Sequence, residues 1–340
     1  MNRRKFFKSI IWACVMLLAT AFIVGCKQSD EVVIQQDKEE VKDITVEQVQ
    51  KEPPGPFPVT VTDGSGQAVT IEKEPQTVVS LLPNNTEIVF ALGVGEKLIG
   101  VSEQCDYPAE ASKIEKVGSM EMNVDKILKL KPDLVLLSPY QLDQQKEGID
   151  KLKKAAIQVV IVGVSSSFAD VYQSIDLIAQ VTGAKEQGEQ LVKNMQDQVA
   201  SIQEKAAQIK DKKKVWVEVI PEPEIYTAGS GTLIHEMLQT IQATNVVENQ
   251  EGWVKYEQDQ IKQLNPEMII TTYGYYIEEP IKGVLQREGW EEVPAVKNKQ
   301  VFNVENDLVS RPGPRLIDGL ETLASIVYPE VFPQEEKEEK

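Results

Sequence analysis

From about residue 57 onward, apolar and polar positions alternate in units that name their own elements. In PVTVTDGSGQAVTI, alternating residues flank Asp63-Gly64, a strong short-range signal for a β-hairpin. Val78 to Leu82 is apolar and β-rich, which reads as a buried strand. Pro83 and Asn84 then open a short helix that stops near Gly93, and Asn84 and Glu87 have the spacing of a capping box. KLIGVS reads as a second strand, the text around Asp125 as a helix, and DLVLLS as a third strand. QQKEGIDKLKKA is a helix and QVVIVGV a fourth strand. Apolar strands alternating with helices predict a parallel sheet covered on both faces.

The rhythm changes at Phe168. To about Asp211 there is no strand signal, but two amphipathic helices, the first stopped near Gly183 and the second long. Leu191, Met195, Val199 and Ile202 recur at helical spacing and read as a packing stripe. After Lys214 the alternation resumes with VWVEVI, a helix at GTLIHEMLQTI, another at DQIKQLN, then MIITTY, IKGVLQREG, QVFNV and a closing helix at PRLIDGLETLASIVYP. The fold class is therefore α/β. Two lobes with mostly parallel sheets, residues 57–166 and 213–330, are joined by a helical connector at 167–212.

One phrase occurs in both halves. VDKILKLKPDLVLLS begins at Val124 and QDQIKQLNPEMIITT at Gln258. Each predicts a short helix, a proline, an acid and a strand. A fainter echo joins TEIVFALGVGEKLIGV to HEMLQTIQATNVV, which favours duplication of a lobe. Helix-proline-acid-strand is also a generic way to build such a unit.

The two ends differ from the body. MNRRKFFK is basic, and an almost wholly apolar run follows it, ending in Ile23-Val24-Gly25-Cys26. That is the layout of a secretory signal, and small residues before a cysteine resemble the bacterial lipobox. Such a signal, residues 1–25, is cut ahead of the cysteine, and Cys26 carries a diacylglycerol. An uncleaved transmembrane anchor is the alternative. Either way the body lies outside the cytoplasm, tethered to a membrane. Residues 26–56 read as a lipidated cysteine and a flexible polar spacer, and 331–340 as an acidic tail.

Charge and cysteine count narrow the function. The chain has a formal net charge of −17, and losing the basic signal makes it more acidic still. That argues against nucleic acid as a partner. Cys105 is left as the sole thiol of the lipidated chain, which excludes an internal disulfide and a cysteine metal cluster. No nucleophile, zinc, P-loop or dinucleotide motif is present, so the chain reads as a binding protein with no catalytic or metal residues. GSGT at 229–232 precedes a helix, and reads as a loop and cap or an anion site. His235, the single histidine, reads as a core or surface residue, with a haem or cobalt contact as the minor alternative.

Ligands of open α/β sheets bind beyond the carboxyl ends of the strands. The loops there hold Pro83-Asn84, Cys105 to Pro108, Ser138 to Tyr140, Tyr226, Trp253, Tyr273 to Tyr275 and Asp307 to Arg311. Several aromatics with a few polar groups suit a large, flat, partly apolar ligand.

With the lipobox, VVSLLPNNTEIVFALGVGEKLIGVSEQCDYP, VDKILKLKPDLVLL and SRPGPRLIDGLETLA, the chain resembles the solute-binding lipoproteins of ABC importers for cobalamin, ferric siderophores and haem. The likeness runs over residues 57–330, and the DYP and ENDLVSRPGPR phrases are most similar to the cobalamin branch. It implies two lobes bridged by a long helix, with the ligand, a corrinoid, held between them and no cofactor of its own. Tyr107, Tyr140, Tyr226, Trp253, Asp307 and Arg311 are the implied ligand residues. An ABC permease and its ATPase are the implied partners, with Asp125 and Asp259 as the contacts to the permease, where the family usually has Glu; Glu121 and Glu257 stand nearby. Met120 and Ser138 stand where that branch often has aromatics. A ferric siderophore or haem is the alternative ligand, and a surface sensor or enzyme on the same scaffold a remoter one.

Overall fold

The computed structural model describes residues 56–333. Its first element is the hairpin expected at Asp63-Gly64, formed by β1 (Val59–Thr62) and β2 (Ala68–Ile71). One Asp63 carboxylate oxygen accepts the Ser65 and Gln67 amides at 2.9 and 3.2 Å, and the other accepts the Ile161 amide at 3.2 Å. A Cβ at Gly64 would stand 2.4 Å from the Gly163 nitrogen, so this turn needs glycine for close backbone approach. The aspartate and the glycine together staple the hairpin to the first lobe.

That lobe comprises β3 (Val78–Ser80), α1 (Pro83–Ala91), β4 (Leu98–Val101), α2 (Val124–Leu130), β5 (Leu134–Leu137), α3 (Pro139–Gln144), α4 (Lys146–Lys154) and β6 (Gln158–Ile161). Its four strands are all parallel, in the order β4-β3-β5-β6. β3 and β5 are buried at every position, as strands covered on both faces must be. The capping box expected at Asn84 and Glu87 is not formed. Leu82 is the N-cap, without a side-chain bond, and both polar residues lie inside α1. Pro83 explains the shift, because its fixed φ and missing N–H suit the first helical position.

The connector consists of α5 (Phe168–Thr182) and α6 (Lys185–Ala206), joined through Gly183 in the left-handed region at φ 81. Met195, Val199 and Ile202 of the α6 stripe are buried, and Leu191 packs against the same core. At Gly188 a Cβ would lie 2.4 Å from the Ala179 methyl, so the two helices touch backbone to side chain there.

The second lobe comprises β7 (Lys214–Ile220), β8 (Ile225–Ala228), α7 (Leu233–Thr240), β9 (Thr244–Asn245), β10 (Trp253–Tyr256), α8 (Gln258–Leu264), β11 (Met268–Thr271), α9 (Pro280–Leu285), α10 (Pro294–Lys297), β12 (Val301–Asn303), α11 (Asn306–Ser310) and α12 (Leu316–Val327). The sheet order is β10-β8-β7-β11-β12, with β9 also paired to β7. β9 and β11 run parallel to β7, and β12 parallel to β11. β8 is antiparallel to β7 and to β10, an added ribbon that the apolar pattern does not predict. One apolar core runs from Val78 and Ile88 through Ile175 and Met195 to Val215 and Leu320, joining both lobes through the connector. Separate clusters fill the outer face of each sheet. Among the described residues, no helix is long and apolar enough to cross a membrane.

The repeated phrase takes one form in both lobes. α2 and α8 are each seven residues long and end on a left-handed residue, Lys131 at φ 51 and Asn265 at φ 53. Ile127 and Ile261 are both wholly buried, each in its own lobe's outer cluster. The acid after the proline also does equivalent work. Asp133 accepts the Gln76 and Thr77 amides, both at 2.9 Å, just ahead of β3. Glu267 accepts the Lys214 amide at 2.9 Å, at the start of β7. Each acid thus anchors the start of its lobe's central strand.

Asp133 also accepts the Thr77 hydroxyl at 2.9 Å. Asp133→Ala should therefore cost about 1–2 kcal/mol in urea unfolding and Glu267→Ala roughly half that. Burial pushes the Asp133 carboxyl up, but the bonds from Thr77 and Gln76 outweigh it and hold the group below the ordinary range. Its stabilisation is complete above the unfolded value of about 3.9 and fades as pH falls through the lower folded value. The gap between wild type and Asp133→Ala should close in acid.

Candidate functional site

β3 and β5 are neighbours, and the connections from their carboxyl ends run in opposite directions, β3 to β4 on one side and β5 to β6 on the other. That is a switch point of the kind where open α/β sheets bind ligands. The first turns of α1 and the loop after β4 meet there with the loop after β12, which reaches over from the second lobe. The centre of this meeting is Glu87, 3% exposed, on α1. Arg315 donates to both its carboxylate oxygens, Nε at 2.9 Å and Nη2 at 2.7 Å. Arg311 Nη1 donates to Glu87 at 3.2 Å and to Asp106 at 2.7 Å, and its Nη2 lies 2.8 Å from Asp307. Glu305 stands 3.6 Å from Arg315. The Arg315 guanidinium lies over the Tyr107 ring, 4.0 Å from its centre.

Four carboxylates thus surround two guanidiniums. The hydrogen bond from Arg311 holds the Asp106 carboxyl below its ordinary range. Burial pushes Asp307 up, against the pull of Arg311. The bond to Glu87 pushes Arg315 up, and for Arg311 the bond to Asp106 and the Asp307 charge outweigh the opposing effect of burial. Both arginines are charged, and their forks are already engaged.

Tyr107, Asp307 and Arg311 are therefore brought together at the lobe junction. Tyr107 is 47% exposed. Tyr226 and Trp253 lie on the neighbouring strands β8 and β10, opposite Lys255 and Ala228 respectively. β10 is the sheet edge, and Trp253 is 57% exposed on it. Tyr140 stands half exposed in the first turn of α3, in no hydrogen bond or ring contact with either group. Tyr275 and Tyr276, after β11, add an exposed edge-to-face pair with ring centres 4.7 Å apart. Beside them a groove of about 540 Å³ is lined by apolar residues such as Ile277, Ile281 and Leu285 and by Glu278, Glu279 and Lys282.

That aromatic loop is anchored from below. Glu218 on β7 is wholly buried and accepts the Tyr273 hydroxyl at 2.7 Å, Arg287 Nη1 at 2.8 Å and the Trp216 indole at 3.2 Å. Burial and the Glu218 charge push the Tyr273 hydroxyl up, so it stays a donor.

Sequence reasoning missed Glu87 and Arg315 as partners, and missed Glu218 and Arg287. Its traces are acids inside apolar runs, TEIVF and VWVEVI. His235 is buried in α7 with Nδ1 3.3 Å from the Asn245 amide nitrogen. Burial pushes its pKa down despite Glu248. Thr232 caps α7, accepting the His235 amide at 3.2 Å, so GSGT serves as a loop and cap. Cys105 is buried beneath the junction, 3.1 Å from the Thr86 hydroxyl, and burial pushes its thiol up. Among the described residues, no group of three or more His, Cys, Asp or Glu side chains is arranged to hold a metal ion.

Asp125 and Asp259 sit in the first turns of α2 and α8, both exposed. Asp259 pairs with Lys262 at 2.6 Å. Cys26, the signal and the spacer to residue 55 lie outside the described residues, as does the tail from 334.

The model of the periplasmic binding protein family matches residues 78–308. An uncharacterized ABC transporter substrate-binding lipoprotein of Bacillus subtilis, YvrC, is 43% identical over 326 residues, covering 95% of this chain and 98% of its own. A vitamin B12-binding protein of Vibrio parahaemolyticus is 26% identical, covering 74% of this chain and 90% of its own. The crystal structure of a possible iron-binding (periplasmic solute-binding) protein from Staphylococcus epidermidis superposes with a TM-score of 0.69 at 33% identity, over 75% of this chain and all of that one. A family match across most of the two lobes and a relative this similar end to end make the chain a substrate-binding protein of the periplasmic binding protein family.

Proposed function

We propose that this protein is the extracytoplasmic binding component of an ABC importer, and that its ligand is a corrinoid held between the lobes. The observation that carries the ligand class is the charge balance at the junction. Both arginines there are committed to carboxylates, and the carboxylates outnumber them. An anionic ligand such as haem or a ferric catecholate calls for free cations. A corrinoid presents a flat macrocycle fringed with carboxamides, whose N–H groups suit Asp106 and Asp307 and whose faces suit Tyr107. The vitamin B12-binding relative supports the same class.

The protein acts by binding and release, with ATP hydrolysis on another chain. Lipidation of Cys26 tethers it to the membrane, and Asp125 and Asp259 meet the permease. The full chain, solubilised in detergent, is titrated with cyanocobalamin, haemin and ferric siderophores while tryptophan emission is followed. Saturable quenching by cyanocobalamin at micromolar levels or below is expected, weakened by Tyr107→Ala. Saturation by a ferric siderophore alone would overturn the corrinoid reading and favour the iron class named for the Staphylococcus structure.

A further inference from the structure

We infer that Arg315 is a positioning residue, and that its fork on Glu87 sets the separation of the lobes before any ligand binds. Arg315 belongs to the second lobe. It immediately precedes α12, whose Leu316, Leu320 and Leu323 are buried in the common core. Yet its hydrogen bonds are with the first lobe, to both oxygens of Glu87 at 2.9 and 2.7 Å, and its guanidinium lies over the Tyr107 ring, 4.0 Å from the centre. The carboxylates of its own lobe are farther from it than Glu87, Glu305 at 3.6 Å and Asp307 at 4.0 Å. Glu87 is equally committed, buried on α1 with no side-chain partner among the described residues but Arg311 and Arg315.

This geometry makes the junction all-or-none. A planar fork on a carboxylate holds within a few tenths of an ångström, so a lobe displacement of about 1–2 Å breaks both bonds together. The same displacement withdraws the guanidinium from under Tyr107. The ligand-facing ring of the first lobe is thus presented properly at one position of the second lobe. A ligand that stacks on the supported ring favours that position, and a partner that pries the lobes apart removes the support. The lobe spacing does not depend on which ligand binds, so it tests this inference separately from the corrinoid reading.

The test is an inter-lobe distance in the ligand-free protein. Nitroxides carried on noncanonical residues at the exposed positions Lys153 and Glu288 of the full chain in nanodiscs report it by pulsed electron resonance. Wild type should give one narrow distance. Glu87→Gln and Arg315→Met should each add a longer-distance population, and the double variant no more than Glu87→Gln alone, which also weakens the Arg311 bond. Arg315→Lys, which keeps the charge but loses the fork, should not restore the wild-type distance. Glu305→Gln, which removes a contact within the second lobe, should leave the distance unchanged. If Glu87→Gln does not fold, the Glu87→Leu/Arg315→Met double variant, with no buried charge left unpaired, carries the comparison. Folded Glu87 and Arg315 variants with the wild-type distance, or a Glu305→Gln variant that opens as far as they do, would overturn the inference.

Discussion

Arg287→Ala should lower the unfolding free energy by about 3–5 kcal/mol, the expected loss when one member of a buried ion pair is removed. Glu218 is wholly buried and the Arg287 side chain is 6% exposed. Arg287 spans the carboxylate, with Nη1 on one oxygen and Nη2 on the other. Without it, Glu218 keeps two neutral donors, Tyr273 and Trp216, which do not balance a full charge inside the sheet. The ring of Trp290, which lies 4.9 Å from the guanidinium, loses its cation as well. Urea unfolding followed by circular dichroism measures the effect. A control separates the pair's net worth from the damage of breaking it. Glu218→Leu with Arg287→Met removes both charges and should lie far closer to wild type than Arg287→Ala. An Arg287→Ala protein within about 1 kcal/mol of wild type would mean that water or another donor compensates Glu218.

This buried pair also shows where the sequence stops being informative. Glu218 is conspicuous in VWVEVI, because an acid inside a fully apolar strand needs a partner. Its partner lies 69 positions away, and nothing local marks Arg287 among the chain's other cations. The same holds for Glu87. Three positions after Asn84 it has capping-box spacing, and Pro83, the residue that shifts the helix start, stands in plain view. Arg311 and Arg315 are 224 and 228 positions from Glu87, beyond the reach of any periodicity argument. Arg311 belongs to the junction as the resemblance implies, but with its donors taken up by Glu87, Asp106 and Asp307.

What local pattern does carry is the architecture. Val78–Ser80, Leu134–Leu137 and Met268–Thr271 are buried at every position, and each is a run of apolar or small residues in the sequence. Ile127 and Ile261 mark the repeat because the same buried position recurs in each lobe. β8, β9 and β10 fall outside that logic. Each is four residues or fewer, and β10 alternates half-buried and exposed positions on a sheet edge, so no continuous apolar run announces it. Tyr226 and Trp253 were therefore recognisable as aromatics in connections, while the ribbon that presents them was not.

Replacing Asp125 and Asp259 together with Ala should sharply reduce uptake while leaving ligand affinity unchanged. The two residues occupy the same turn of equivalent helices, one in each lobe, and the Asp259 side chain is 83% exposed. Neither reaches the junction around Glu87, so their removal leaves the ligand face intact. Asp125 is in no ion pair among the described residues, and the exposed Asp259–Lys262 pair contributes little to stability. If each aspartate forms a desolvated ion pair with a permease arginine, its loss costs roughly 2–5 kcal/mol of docking free energy, on the order of 30-fold or more per site. Corrinoid uptake by cells carrying the double variant, set beside cyanocobalamin titration of the same protein, separates docking from binding. Glu121 and Glu257 are the competing acids, and Glu257 stands at the N-cap of α8, where its backbone amide donates to the Gln260 side chain at 2.9 Å. Uptake that survives Asp125→Ala/Asp259→Ala but fails in Glu121→Ala/Glu257→Ala would transfer the role to those glutamates. A fall in affinity with uptake preserved in the Asp125→Ala/Asp259→Ala variant would refute docking by those two aspartates and place them on the ligand's side of the protein.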